Sequence, residues 1–198
     1  MDTARYWLAL IAVVSFPPAV LYWFVIHPWA GFWRRLGPWK THLIVGPSMI
    51  LLGVWIYLYR DDLMRVDFGF VPVFAALAVV SYLFAGALEV LCRRYLKLRI
   101  LMGVPELSKD PSASSLLTEG IYGKVRHPRY VSVFFGSLAV ALFSNYLATW
   151  VLQILLIPGL YILAILEERE LLDRFGEEYA RYMERVPRFV PKFDRTRS

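Results

Sequence analysis

Charged residues are scarce in this sequence. Only 19% of its 198 residues are charged, whereas 58% are hydrophobic and 16% are aromatic. In a soluble domain about a quarter of the residues are usually charged, so this composition argues against an ordinary soluble fold. The chain is therefore expected to be an integral membrane protein.

Cysteine and histidine are also rare. The single Cys92 cannot form an internal disulfide, and His27, His42 and His127 lie far apart in the sequence. The sequence contains no repeat, no low-complexity tract and no spacing typical of metal ligands. It therefore gives no sign of a disulfide scaffold, and no metal is predicted.

Long uncharged runs are the feature that the sequence does have. Four runs lack any charged residue: 6–33, 41–59, 68–88 and 130–166. About 20 apolar residues cross the hydrocarbon core of a bilayer. The runs are continuous rather than alternating, which indicates helices rather than strands of a membrane barrel. We predict one multi-pass, all-α membrane helical bundle over residues 1–198, with transmembrane helices filling residues 1–92.

The last run is too long for one span. Its 37 residues would rise about 55 Å as a helix, nearly twice the thickness of the hydrocarbon core. Turn-forming residues occur near its middle at Ser144, Asn145 and Tyr146. We predict a C-terminal helical hairpin with arms 130–143 and 147–166, which gives about five transmembrane helices. The first arm is short, so full crossing and a re-entrant hairpin both stay open.

The distribution of positive charge predicts an orientation. Of the 22 basic residues, 19 lie after the first run, after the third run or after the hairpin. The positive-inside rule places these segments in the cytoplasm and the amino terminus outside. Orientation and attraction to anionic lipid headgroups account for the net charge of +6, so no nucleic-acid partner is predicted.

Two polar segments flank the hairpin and must meet on its cytoplasmic side. The first is GIYGKVRHPRY at 120–130, and the second is LEERELLDRFGEEYARYMERVPRFVP at 166–191. Apolar residues recur in the second segment at steps of three and four, which predicts an interfacial cytoplasmic helix. Gly176 is expected to interrupt this helix, and Pro187 and Pro191 to end it. Singly, these charged residues are typical interfacial anchors, but their convergence indicates a site.

The pair of motifs resembles a known family. RHPRY at 126–130, followed after the hairpin by EERELLDRFGEEYARYMERVPRFVP at 167–191, is similar to the isoprenylcysteine carboxyl methyltransferase and phospholipid methyltransferase family. The resemblance is strong over about 106–191 and vague before about residue 74. It implies a small helical membrane enzyme that binds S-adenosyl-L-methionine at its cytoplasmic face, in residues 93–198. It also implies methylation of a lipophilic or amphiphilic acceptor.

The resemblance and the chemistry of the cofactor together suggest the site residues. Arg126 or His127 suits the carboxylate of the cofactor, and Glu167 or Glu168 suits its ammonium group. Aromatic rings suit the sulfonium through cation–π contact. The predicted catalytic residues are Arg126, His127 and Glu167. The predicted cofactor-binding residues are Tyr122, Arg126, His127, Pro128, Tyr130, Glu167 and Glu168.

Two other classes of function compete with this interpretation. Membrane sterol and steroid reductases have a related C-terminal half and use a nicotinamide cofactor, but the intact EERELL favours the methyltransferase. A non-enzymatic membrane protein is the other class; the runs contain almost no ionisable residue that would line a polar path. The accepting group, a thiol, amine or carboxylate, stays open, as does the oligomeric state. The segment 97–115 has the composition of a mobile cover.

Overall fold

The structure is a computed structural model that describes residues 1–95 and 116–192. Within these ranges the regular secondary structure is helical, as predicted. Two 3-10 turns cover His27–Trp29 and Gly120–Gly123. The α-helices are α1 Asp2–Ile26, α2 Ala30–Leu36, α3 Pro38–Leu58, α4 Arg60–Leu63, α5 Pro72–Arg93, α6 Pro128–Ser144, α7 Leu147–Phe175 and α8 Glu177–Arg185. The segment 97–115, which the sequence predicts to be a mobile cover, lies outside the described residues.

Four described helical segments are long and apolar enough to cross a membrane. They are Asp2–Leu36, Pro38–Leu58, Pro72–Arg93 and Leu147–Phe175. Helix α6 is shorter, with 17 residues and a rise of about 25 Å. It starts two residues before the predicted arm, because Pro128 occupies the first turn, where a missing amide hydrogen costs nothing. The all-α bundle is therefore confirmed, and four long apolar helices together with the shorter α6 are consistent with the predicted number of about five.

The predicted turn of the hairpin is confirmed and is fixed by polar contacts. Asn145 has φ 56°, a left-handed conformation that ends α6. The buried guanidinium of Arg5 donates to the Ser144 carbonyl from Nε at 3.1 Å and from Nη2 at 2.8 Å, and it pairs with Asp67. Asp67 also forms an isolated bridge with Tyr146. The tip of the hairpin therefore reaches the end of the bundle where α1 begins.

Small residues allow α5 and α6 to pack closely. Ala78 and Ala85 of α5 are buried, as is Ser132 of α6. The Ser132 hydroxyl donates to the Ala85 carbonyl at 2.9 Å. A Cβ added at Gly136 would lie 3.9 Å from that of Ala85. Close backbone approach and interhelical hydrogen bonds replace the hydrophobic driving force that lipid does not provide.

Helix α1 links the two halves of the chain. It contacts α3 in the N-terminal half and both arms of the hairpin, α6 and α7. The 3-10 turn His27–Trp29 at its carboxyl end also contacts α7. This arrangement, which sequence periodicity does not reveal, places the end of the first helix beside the acidic part of α7.

Helix α7 does not end at residue 166, where the charged segment begins. It continues through Glu167 and Glu168 to Phe175. Gly176, with φ 53°, then breaks the helix as predicted, and α8 follows until Arg185. The acidic pair is therefore held on a rigid continuation of a membrane helix, and only α8 corresponds to the predicted interfacial helix.

Candidate functional site

The segment before α6 is held in place by backbone contacts. His127 occupies the N-cap position of α6, directly before Pro128. The Arg126 amide donates to the Pro187 carbonyl at 2.9 Å, and the His127 amide donates to the Arg188 carbonyl at 3.0 Å. The two polar segments that flank the hairpin therefore pair along their backbones, as the predicted convergence requires.

Glu168 is the centre of a buried ion network. Its carboxylate accepts hydrogen bonds from Arg126 Nε at 3.0 Å, His127 Nε2 at 3.0 Å and Arg188 Nη2 at 2.6 Å. Only 4% of the Glu168 side chain is exposed. A carboxylate with three cationic partners and so little exposure is paired within the protein, so its role is structural.

The Arg126 side chain is likewise hydrogen-bonded to groups of the protein itself. Besides Glu168, its Nη1 donates to the carbonyl oxygens of Met183 at 2.8 Å and Val186 at 2.6 Å. Its side chain is 8% exposed. Arg126 thus joins α7 to the end of α8.

His127 bridges the acidic pair. Its Nε2 contacts Glu168, and its Nδ1 lies 3.3 Å from Glu167 Oε2. Burial disfavours the charged imidazolium, but hydrogen bonds to both carboxylates outweigh burial and raise the pKa of His127. An imidazole that donates from both nitrogens is the protonated form. The Tyr130 ring stacks on it, with centroids 5.3 Å apart.

Glu167 differs from its neighbour in exposure. Its side chain is 31% exposed, whereas that of Glu168 is 4% exposed. It lies 3.3 Å from His127 and forms a hydrogen bond with Tyr130. Glu167 is therefore the carboxylate of the pair that remains accessible to a ligand.

Aromatic rings line the same region. Phe189 lies 5.9 Å from His127 between centroids and 6.3 Å from Tyr161. The guanidinium of Arg188 lies 5.2 Å from the centroid of Tyr161. Sequence reasoning missed Tyr161, Arg188 and Phe189. Tyr161 lies in the uncharged run, and Arg188 and Phe189 lie in the second motif but outside the positions that the resemblance assigned to the cofactor.

Tyr122 lies at the edge of this cluster. It is buried against Cys92, and burial raises the pKa of its hydroxyl. Its carbonyl accepts a hydrogen bond from the Tyr182 hydroxyl at 2.7 Å. Burial raises the pKa of Tyr182 to about 12, so that donor stays protonated at neutral pH. In residues 1–95 and 116–192, no cluster of three His, Cys, Asp or Glu side chains suits a metal ion.

Residues 76–178 match the sequence model of a family described as phospholipid methyltransferase, over just more than half of the chain. The chain belongs to the phospholipid methyltransferase family. The resemblance carried by RHPRY and the acidic pair is thereby confirmed, and all seven predicted site residues fall inside the matched region.

A curated relative supports the same family. The chain is 34% identical over 85 residues to the protein-S-isoprenylcysteine O-methyltransferase of Schizosaccharomyces pombe. The match covers 42% of this chain and 36% of the relative, so this chain spans about a third of that protein's length. No solved structure matches the chain.

Proposed function

We propose that this member of the phospholipid methyltransferase family is an S-adenosyl-L-methionine-dependent enzyme that methylates a lipophilic or amphiphilic acceptor. The observation that carries the proposal is the junction of segment 126–130 with the acidic pair of α7, inside the region that matches the family. That match favours methyl transfer over the reductase and the non-enzymatic alternatives.

The described residues fit this methyl donor. Its ammonium group requires an anion, and Glu167 supplies one that is partly exposed. Its carboxylate requires a cation, and the Arg188 side chain is 26% exposed, whereas Arg126 and His127 are buried. We therefore assign the carboxylate contact to Arg188, which Arg126 and His127 support through Glu168.

The aromatic rings suit the remaining part of the donor. Tyr130, Tyr161 and Phe189 lie around His127 and Arg188. Ring faces attract a sulfonium with an interaction of about 0.5 to 2 kcal/mol. When bound, the donor supplies an electrophilic methyl group. Since positive charge on sulfur disappears during transfer, exclusion of water by these rings favours the reaction.

The position of the site indicates how the acceptor arrives. Glu167 lies near the end of a membrane helix, and His127 lies at the start of another. A nucleophile on an apolar body would therefore reach the site sideways from the bilayer, while the donor enters from the cytoplasm. We propose this cytoplasmic orientation from the distribution of basic residues.

The test uses donor with an isotopically labelled methyl group and purified protein in one detergent. Acceptors with a thiol, an amine or a carboxylate are compared as long-chain and short water-soluble versions. We expect label on a long-chain acceptor, with calorimetric binding of the donor. Absence of donor binding would overturn the proposed function. Equal turnover of long and short versions would overturn entry from the bilayer.

A further inference from the structure

Glu170 is the centre of a second buried ion cluster on α7. Its side chain is 4% exposed. Oε2 lies 2.9 Å from His27 Nδ1, and Oε1 accepts a hydrogen bond from Arg34 Nη2 at 2.5 Å. His27 begins the 3-10 turn after α1, and Arg34 lies in α2. These three residues, the Glu170 cluster, join α7 to a part of the chain that precedes the family match at residue 76.

The partners of Glu170 are carried by a packed corner of the bundle. Trp23 of α1 stacks on the His27 ring, with centroids 5.3 Å apart and planes at 22°. Trp33 of α2 is buried against Ile26, and its Nε1 donates to the Val25 carbonyl at 2.9 Å. The two tryptophans tie the 3-10 turn and α2 to the end of α1. Glu170 is therefore attached to a fixed point of the N-terminal half.

The two ion clusters of α7 lie on opposite sides of Glu167. Because successive residues of an α-helix are rotated by about 100°, Glu168 lies about 100° to one side of Glu167 and Glu170 about 60° to the other. Segment 126–127 and Arg188 hold Glu168, and the N-terminal helices hold Glu170. A rotation of this turn about the helix axis would pull both carboxylates from their partners. The direction in which Glu167 projects is therefore fixed from both sides.

A second buried ion pair provides a comparison. Arg5 and Asp67 pair near the start of α1, and His27 follows its end, so the two sites are separated by roughly 30 Å of helix. Both pairs join distant parts of the chain and both contribute to stability. Only the Glu170 cluster includes a residue of the turn that carries Glu167.

We propose that the Glu170 cluster positions Glu167 for the methyl donor. This inference rests on the proposed function, in which Glu167 contacts the ammonium group of the donor. The members of the cluster are positioning residues, because they act on the donor through Glu167. The N-terminal helices would then be part of the donor-binding unit, although they lie outside the region that matches the family.

A double-mutant cycle between Glu170 and Glu167 tests the proposal. In the wild type, we expect Glu170→Gln to raise the dissociation constant of the donor by about fivefold, because the turn is no longer held on one side. In the Glu167→Gln background, the same change should alter that constant by less than about twofold, because the contact that it positions is already absent. Calorimetry on the purified protein in detergent measures all four dissociation constants.

Asp67→Asn is the matched control. It breaks a buried ion pair at the other end of the bundle, so it should lower the thermal midpoint as Glu170→Gln does. The dissociation constant of the donor should nevertheless stay within about twofold of the wild type, because distant sites are independent. If Asp67→Asn weakens donor binding as much as Glu170→Gln, the cluster contributes general stability only and the proposal is wrong.

Two substitutions of Arg34 keep the test valid if Glu170→Gln does not fold. The Arg34 side chain is 27% exposed, so its replacement disturbs the interior less. Arg34→Lys retains a cation for Glu170 and should keep donor affinity within about twofold. Arg34→Gln should weaken it by about threefold. Wild-type affinity in Arg34→Gln would contradict the role of the cluster.

Hydrogen exchange provides a readout without any donor. In the protein alone, we expect Glu170→Gln to speed amide exchange of residues 166–172 by at least about threefold, and Asp67→Asn to leave it unchanged. Equal exchange in Glu170→Gln and the wild type would show that the cluster does not hold this turn.

The outcomes separate this inference from the proposed function. If the wild type does not bind the donor, the proposed function fails and this inference fails with it. If the wild type binds the donor and Glu170→Gln binds it equally well, only the positioning role is wrong. If the effects of Glu170→Gln and Glu167→Gln are additive, Glu170 acts independently of Glu167, and the positioning role is again wrong.

Discussion

At the residue scale, the two adjacent acids of α7 differ in exposure and in their partners. Their sequence context is the same, so the sequence predicted a pair and could not divide its roles. The structure divides them by exposure: Glu168 is enclosed by three cations, and Glu167 is partly open. Neighbours on a helix point about 100° apart, and which direction is buried depends on the packing of α8, which lies beyond local sequence.

This difference gives opposite expectations for replacing each acid with glutamine. Glu168→Gln leaves Arg126, His127 and Arg188 without their anion, and loss of one buried partner costs about 3–5 kcal/mol. We expect a large fall in the thermal midpoint, measured by fluorescence in detergent. Glu167→Gln should leave the midpoint nearly unchanged.

The Glu167→Gln variant should instead lose affinity for the donor. A charge-assisted contact is worth roughly 1.5 to 3 kcal/mol, so we expect at least tenfold weaker binding by calorimetry. Wild-type affinity in this variant would contradict the assignment of Glu167 to the ammonium group.

The raised pKa of His127 predicts a pH dependence of stability. A group whose pKa is higher in the folded protein stabilises it fully below the unfolded value, about 6.5 for histidine. That stabilisation is lost as the pH rises through the higher folded value. We expect the thermal midpoint to fall over this window, and His127→Asn to remove the part of the decline due to this ring. An unchanged slope in that variant would show that other groups cause the decline.

At the element scale, the sequence predicted the turn of the hairpin, but it did not predict where α7 ends or what α7 contacts. The length of the uncharged run 130–166 requires a turn, and near its middle only residues 144–146 offer turn chemistry, so the turn at Asn145 was found. The continuation of α7 through Glu168 was missed, because charge was taken as the end of the arm. Helical propensity of Glu, Arg and Leu carries the helix on until Gly176. The contacts of Glu170 with His27 join residues 143 positions apart, which no local pattern reveals.

Gly176 separates α7 from α8, and its conformation sets where α8 lies relative to the candidate site. Its φ of 53° and ψ of −126° are accessible to glycine and strained for other residues. An added Cβ meets nothing within 4 Å, so the cost of Gly176→Ala is backbone strain, about 1–3 kcal/mol. We expect a lower thermal midpoint and weaker donor binding, because α8 and the residue after it supply the carbonyl partners of Arg126.

Gly86 provides the control for this substitution. It lies inside α5 with nothing within 4 Å of an added Cβ, and its φ is ordinary for a helix. Alanine in a helix is favoured over glycine by about 1 kcal/mol. Gly86→Ala should therefore keep or raise the midpoint. If both variants behave alike, the strain at Gly176 does not control the position of α8.

At the scale of the whole molecule, charge and packing define two ends of the bundle. The loop with Asp67 joins the start of α1 and the tip of the hairpin at one end. Arg34, Arg126 and Arg188 gather with the acids of α7 at the other end. The sequence predicted this separation from the positions of basic residues, and the division into residues 1–92 and 93–198 stays a prediction. The side of the membrane that each end faces is an expectation from charge.

Cysteine labelling tests that orientation directly. Asp62 lies in α4, in the connection that carries Asp67, and Glu178 lies in α8 beside the site; both are exposed. The native Cys92 is buried, so it should not react in the folded protein. We expect Asp62→Cys to react with an impermeant reagent in intact cells, and Glu178→Cys to react only after the membrane is opened. Since a methyl donor made in the cytoplasm must reach Glu167 and Arg188 from water, the reverse pattern would place the site on the wrong side and remove the basis for the proposed enzyme.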